Sequence, residues 1–256
     1  MAGSRLTNYL HFIWAMTEKE IKARYKHTVF GFLWVILNPV FQMFVIGFVF
    51  SFFVYIPVAN YYLFLFSGLL PWQFFSLTLS KATPSFVYER SLLQKANFPR
   101  EAIPLSIVLS NFVHFVVSLV LLIVFLGLSK SIVFPQALYL LPASILLLLF
   151  TASVSLLTAT LQVKYRDINF FVQSLLILWF YATPIVYNLA LIPSRFVILY
   201  YFNPLSYIFE LFHVSVLSTS LPDIRLFLVN IFSMGLIILF SYLLYKREHR
   251  TFVDWL

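Results

Sequence analysis

Residues 27–80 read HTVFGFLWVILNPVFQMFVIGFVFSFFVYIPVANYYLFLFSGLLPWQFFSLTLS, and no Asp, Glu, Lys or Arg interrupts them. Lys26 and Lys81 bound the run. Crossing a hydrocarbon core of roughly 30 Å takes about 20 apolar residues at a helical rise of about 1.5 Å each. The run therefore holds two crossings, 32–56 and 61–80, with a turn at 57–60. Working outward, the same reading places further crossings at 103–128, 137–161, 170–187 and 226–245, six spans in one transmembrane domain over 1–256. The expected fold class is an all-α integral membrane protein.

Composition agrees. The chain is 62% hydrophobic and 10% charged, with 31 Phe, 15 Tyr and 5 Trp, whereas soluble domains are about 45–50% apolar and about 25% charged. This excludes a soluble enzyme, a disordered tail and a nucleic-acid-binding module. The net charge of +8 is spread between apolar runs and forms no basic stripe. The absence of cysteine removes disulfides, thiolate metal sites and a cysteine nucleophile.

The basic residues set the orientation, because cytoplasmic connections carry the excess of Lys and Arg. With the N-terminus inside, the inner segments hold Arg5, Lys19, Lys22, Arg24, Lys26, Lys81, Arg90, Lys95, Arg100, Lys164, Arg166, Lys246, Arg247 and Arg250, which is 14. The outer segments hold Lys130, Arg195 and Arg225, which is 3, so both termini are expected in the cytoplasm. Within 1–30, Leu6, Tyr9, Leu10, Ile13, Trp14, Ile21 and Tyr25 recur at three- and four-residue steps. That pattern, with charges where a signal peptide would be apolar, predicts an amphipathic helix in the inner interface.

The outer segment 188–225 is apolar yet broken by Pro193, Arg195, Pro204, Glu210 and Pro222. A helix over 205–217 covers about 20 Å, too little to cross. Two short re-entrant helices are expected, surrounded by protein because non-helical backbone at membrane depth needs that cover. Glu210 either reaches water there or pairs with Arg195.

Equally informative is the missing chemistry. The six glycines are scattered and no G-x-x-x-x-G-K-[ST] loop occurs, so ATP and magnesium belong to another chain and this one binds no cofactor. Carboxylates do not cluster, the histidines at 11, 27, 114, 213 and 249 lie far apart, and no span core holds an acid. A membrane enzyme and an ion-coupled carrier are both disfavoured. Polar residues inside or at the ends of spans are Asn38, Gln42, Asn111, His114, Gln162, Gln173, Asn188 and Asn230. Two readings fit them: hydrogen bonds that hold the bundle together, or polar spots on a translocation path. Asp167, just ahead of the fifth span, is expected to cap that helix.

Three ordered groups of residues carry a resemblance. They are Glu20-Ile21-Lys22-Ala23-Arg24-Tyr25-Lys26 with Gly31-Phe32-Leu33-Trp34 and Asn38-Pro39; Tyr165-Arg166-Asp167-Ile168; and Ala182-Thr183-Pro184-Ile185-Val186-Tyr187 with Asn203-Pro204-Leu205. Together they resemble the ABC type-2 permeases that export polysaccharides, with O-antigen exporter permeases the nearest pattern and teichoic acid and capsule permeases sharing much of it. A small-molecule type-2 exporter or a membrane-embedded glycolipid enzyme is the more distant alternative.

The resemblance implies a homodimer in the bacterial inner membrane, joined to two copies of a cytoplasmic ABC ATPase. Its substrate would be an undecaprenyl-pyrophosphate-linked polysaccharide. It implies a coupling helix within 81–102, where Glu89, Arg90, Gln94 and Lys95 would meet the ATPase. It also implies gate helices in 188–225 that turn at Pro193, Asn203 and Pro204 and carry Glu210. The lipid phosphate would meet Arg24, Lys26, His27 or Arg166 at headgroup depth, as would ordinary anionic lipid. Trp34, Phe41 and Phe48 on the first span, with Trp179, Tyr181 and Tyr187 on the fifth, are the candidate rings along the polymer path. Lipid contact and bundle packing compete for the same rings.

Overall fold

The computed structural model describes residues 2–26, 31–53, 60–95, 98–128, 134–189, 192–217 and 221–255. Regular structure among the described residues is helical throughout. The helices are α1 Ala2–Tyr25, α2 Trp34–Phe53, α3 Tyr61–Ala82, α4 Ser85–Tyr88, α5 Arg90–Lys95, α6 Ala102–Leu128, α7 Phe134–Ala137, α8 Leu140–Lys164, α9 Ile168–Ala182, α10 Val197–Phe202, α11 Ser206–Leu217, α12 Ile224–Glu248 and α13 Phe252–Trp255.

Among the described residues, four stretches are long and apolar enough to cross a membrane: Tyr61–Ala82, Ala102–Val124, Pro135–Lys164 and Ile224–Thr251. They overlap the second, third, fourth and sixth expected spans. The first and fifth fall on shorter apolar runs, Leu37–Val49 and Ile168–Ala182. Helix α9 ends at Ala182, before the expected fifth span does. Proline disfavours helical geometry in the residue before it, so Thr183 ahead of Pro184 is extended, at φ −105° and ψ 141°. Pro104 and Pro142 stay within their helices because they sit in first turns, where the N–H has no intrahelical acceptor. Asn60 adopts left-handed backbone, which Asn tolerates, and its carbonyl accepts the Leu63 and Phe64 N–H groups to start α3.

Burial follows the packing of α3 against α6, α8 and α11. Phe75 stacks on Phe150 at 5.8 Å, and Trp179 of α9 meets both rings edge-on. Although it is too short to cross, α11 is enclosed, with Ile208, Phe209, Leu211, Phe212, His213 and Val214 all buried. His213 fixes it. The Pro184 carbonyl can only accept, so Nε2–H donates to it at 2.8 Å, and Nδ1 lies 2.8 Å from the Ser67 hydroxyl, which is also 2.7 Å from the Phe64 carbonyl.

A second cluster gathers Met16, Phe86, Leu93, Ile103, Ala159, Val163, Tyr245 and Phe252. It joins α1, the α4–α5 connection, the ends of α8 and α12, and α13. Here Tyr245 donates to Glu101 Oε2 at 2.5 Å, and Arg100 donates to the His249 carbonyl. Burial and the Glu101 carboxylate push the Tyr9 hydroxyl above its ordinary pKa. α1 lies along α6, with Ile13, Met16 and Thr17 turned inward and Leu10 and Trp14 left exposed.

Candidate functional site

Two adjoining cavities run along α2 and α3. The smaller, about 290 Å³, lies among Arg24, Trp34, Lys81, Asn111 and His114. The larger, about 790 Å³, is an open groove walled by Gln42, Ser76, Ser80, Gln173 and Ser174, with Trp72, Phe180 and Tyr181. Asn38, Gln73 and Leu77 line both.

Helix packing builds the smaller cavity. α1 lies on α6, which brings the last turn of α1 to the Asn111/His114 face. The Arg24 guanidinium donates to His114 Nδ1 at 2.5 Å and to Asn111 Oδ1. A guanidinium offers only donors. His114 therefore accepts through Nδ1 and carries its proton on Nε2, and Asn111 turns its oxygen toward the arginine. The Asn111 Nδ2 is left buried without a hydrogen-bond partner among the described residues. Lys81 comes to the same cavity from the end of α3.

In the groove, Gln73 Nε2 donates to Gln42 Oε1 at 2.8 Å, and Ser80 donates to Gln173 Oε1 at 3.3 Å. Asn38, Gln42 and Gln173 are nonetheless exposed on the surface of the bundle. Exposed amides there cannot be hydrogen-bonded by lipid. Asn230 behaves differently. It accepts the Tyr207 N–H and donates to the Tyr201 carbonyl, so it holds α10 and α11 to α12.

The expected phosphate contacts do not all meet. Arg24 lines the smaller cavity; Lys26 is exposed just after α1 and Arg166 donates to the Trp255 carbonyl at 3.4 Å, and neither lines it. His27 lies outside the described residues. Lys81, Asn111 and His114 join Arg24 instead. A sequence signal did exist for the last two: a polar pair at i and i+3 inside an apolar span needs a partner.

Of the candidate rings, Trp34, Phe41 and Phe48 are exposed on α2, and Trp34 borders the smaller cavity. Tyr181 borders the groove. Tyr187 donates to the Tyr181 carbonyl and pairs with the Tyr200 hydroxyl, both at 2.6 Å. Trp179 is half-buried against the core, and its Nε1 donates to Asn203 Oδ1 at 3.0 Å. Asn203 also accepts the Leu205 N–H and donates to the Ala182 carbonyl and Thr183 Oγ1, so the break before Pro204 is pinned to the end of α9.

Pro193 is exposed and Pro204 buried. Glu210 is half-buried on α11 and makes no ion pair with Arg195, whose guanidinium lies 4.7 Å from the Phe196 ring centre. The only ion pairs among the described residues are Lys19–Glu89, Lys22–Glu18 and Arg247–Glu248. Glu89 is thus tied to α1 at 2.9 Å, while Arg90 and Gln94 project outward beside buried Leu93. Lys95 ends α5.

Asp167 is corrected. It holds the N-cap position of α9, but its side chain makes no capping hydrogen bond. Gln162 has taken that job from the preceding helix, accepting the Asn169 N–H at 2.7 Å. A capping side chain is found instead on α12, where Asp223 accepts the Arg225 N–H at 2.9 Å.

Apolar helices long enough to cross a membrane, with polar cavities along two of them, define a membrane bundle. The family model described as ABC-2 type transporter matches residues 11–217, and the chain belongs to that family. It is a multi-pass membrane protein of a family that partners an ABC ATPase. The chain is 35% identical over 194 residues to the O-antigen export system permease protein RfbA of Klebsiella pneumoniae, covering 75% of this chain and 74% of that one. A protein of the same name from Myxococcus xanthus is 35% identical over 191 residues, 74% of this chain and 73% of its own.

Proposed function

We propose that this chain is the membrane permease of an ATP-driven exporter that carries lipid-linked O-antigen polysaccharide across the bacterial inner membrane. The relatives' names supply the substrate, and the groove of amides, hydroxyls and rings is the observation that carries the reading. Amides exposed on a membrane bundle call for an occupant that hydrogen-bonds. Sugar hydroxyls do so, and their C–H faces pack on Trp72, Phe180 and Tyr181.

One copy leaves the groove open, so two copies close a channel around the polymer, each with an ABC ATPase below. α2 and α9 complete six crossings, the segment 183–187 finishing the fifth. The cluster that joins α1, α5 and the ends of α8 and α12 then forms the cytoplasmic end, in line with the distribution of Lys and Arg. α5 transmits the ATPase stroke, and α10 with α11 forms the outer gate.

The experiment is complementation. A strain whose O-antigen permease gene is deleted receives this chain with its ATPase, and surface polymer is measured by antibody and gel ladder. Restored O-antigen supports the reading. Polymer retained inside, with both proteins present at normal level, rejects it, and surface display of a capsular or teichoic polymer in the matching strain would reassign the substrate.

A further inference from the structure

We propose that the cavity between α1, α3 and α6 is a binding site for a phosphate or pyrophosphate group carried on a lipid, held by Arg24, Lys81 and the Asn111 amide. The inference rests on the export reading and gives it a residue-level anchor.

Three observations converge. Arg24 and Lys81, on different helices, line one cavity whose lining includes no carboxylate. Glu20 and Glu89 stand on a neighbouring cavity that Lys81 also reaches, so Lys81 sits between an acidic and a basic surrounding. Second, Asn111 is only 2% exposed, and its Nδ2 has no hydrogen-bond partner among the described residues. A buried amide donor without an acceptor is expensive, and a phosphate oxygen is the acceptor that two flanking cations would also attract. Third, His114 Nδ1 and Asn111 Oδ1 both accept from Arg24. They orient the guanidinium before any ligand arrives, which lowers the cost of binding.

Size and position fit a headgroup. About 290 Å³ lies at the lower edge of small-ligand pockets, enough for a pyrophosphate and its first sugar but not for a polymer. Asn38, Gln73 and Leu77 are shared with the groove. A phosphate seated at Arg24 therefore presents its attached sugar directly to the amides of the polymer path. Sequence alone assigned Arg24 to lipid contact and left Asn111 and His114 between bundle packing and a translocation path; the structure puts Lys81, Asn111 and His114 with Arg24.

The permease–ATPase complex in nanodiscs of phosphatidylcholine is titrated with undecaprenyl pyrophosphate, and bound lipid is read by native mass spectrometry. Lys81→Gln removes one cation. Asn111→Asp keeps the oxygen that holds Arg24, removes the N–H donors and adds a repelling charge. Each should weaken binding about tenfold or more with the thermal midpoint retained. Arg24→Lys, which keeps the charge but not the fork, serves as a third variant should Asn111→Asp fold poorly.

Phosphatidylglycerol and inorganic pyrophosphate are then added as competitors. No displacement by phosphatidylglycerol at equal concentration assigns the site to the polymer carrier. Full displacement, lost in the same variants, assigns it to phospholipid headgroups and still supports a lipid-phosphate site. Displacement by inorganic pyrophosphate alone at low concentration, with no Lys81-dependent lipid binding, overturns it, as does wild-type binding in folded Lys81→Gln and Asn111→Asp. If undecaprenyl pyrophosphate binds in a Lys81-dependent way but complementation yields no O-antigen, the export reading fails and the site stands. The reverse pair of results rejects the site alone.

Discussion

Gln162 reaches from the end of α8 to the start of α9, where Oε1 accepts the Asn169 N–H at 2.7 Å and Nε2 donates to the Arg166 carbonyl at 3.0 Å. One buried amide thus closes the turn between two helices. Gln162→Leu leaves both backbone groups without a partner and should lower stability by about 1–3 kcal/mol. Asp167→Ala, whose exposed carboxylate bonds to no helix N–H, should stay within about 0.5 kcal/mol. Thermal melts of the detergent-purified chains compare them, and an equal loss in the two variants would return the capping role to Asp167.

The seam between α3 and α11 depends on a missing side chain. A Cβ at Gly68 would stand 3.0 Å from the Ile185 carbonyl oxygen and 3.1 Å from the His213 ring, whereas one at Gly235 would meet nothing within 4 Å. Close helix approach in membranes uses such small residues. Gly68→Val should therefore cost about 1–3 kcal/mol through overpacking, and Gly235→Val much less. Melting midpoints that fall equally would mean the seam can open to admit the extra carbons.

Charge gaps made the four long apolar helices legible, because no Asp, Glu, Lys or Arg lies between Lys26 and Lys81 or within 103–128. Asn203-Pro204 and Pro184 were legible as breaks for a local reason: proline restricts the residue before it. The site was legible in pieces. Arg24 stood out as a cation at headgroup depth and Asn111 with His114 as a polar face, but their meeting spans about ninety residues of chain and depends on α1 lying along α6. Asp167 was misread for a similar reason. Local sequence cannot report that Gln162, seven residues before Asn169, folds back across the turn.

The cytoplasmic connection offers a test of coupling. Leu93 anchors α5 while Arg90 and Gln94 face outward. Arg90→Glu with Lys95→Glu should leave the bundle folded and uncouple ATP hydrolysis from export, so polymer at the surface falls while basal hydrolysis persists. Unchanged export with an intact complex would move the ATPase contact elsewhere.

A chain without cysteine is convenient for testing the outer helices. Ile198 and Phe202 are exposed on α10, so a single cysteine at either position can reach the same residue of a second copy if the two hairpins meet across a dimer. Oxidation should then yield a disulfide dimer and stop export, and reduction should restore it. Full export with the crosslink formed would remove gating from this pair of helices.

The rings and the amides can be separated as guides of the polymer. Trp34, Phe41 and Phe48 are 42%, 56% and 56% exposed along α2, and a polymer needs many weak contacts so that none traps it. Changing all three to Leu keeps the helix apolar, so the chain should fold normally while export falls several-fold. Trp179→Leu should act differently. It removes the donor to Asn203 and two edge-on contacts with core rings, so its loss should appear as about 1–3 kcal/mol of stability. In the groove, Gln42→Leu and Gln173→Leu remove exposed amides that lipid cannot satisfy, and neither should destabilise the bundle. If that pair abolishes export and the α2 triple variant exports at the wild-type rate, hydrogen bonds guide the sugars, and the α2 rings face lipid or the second copy.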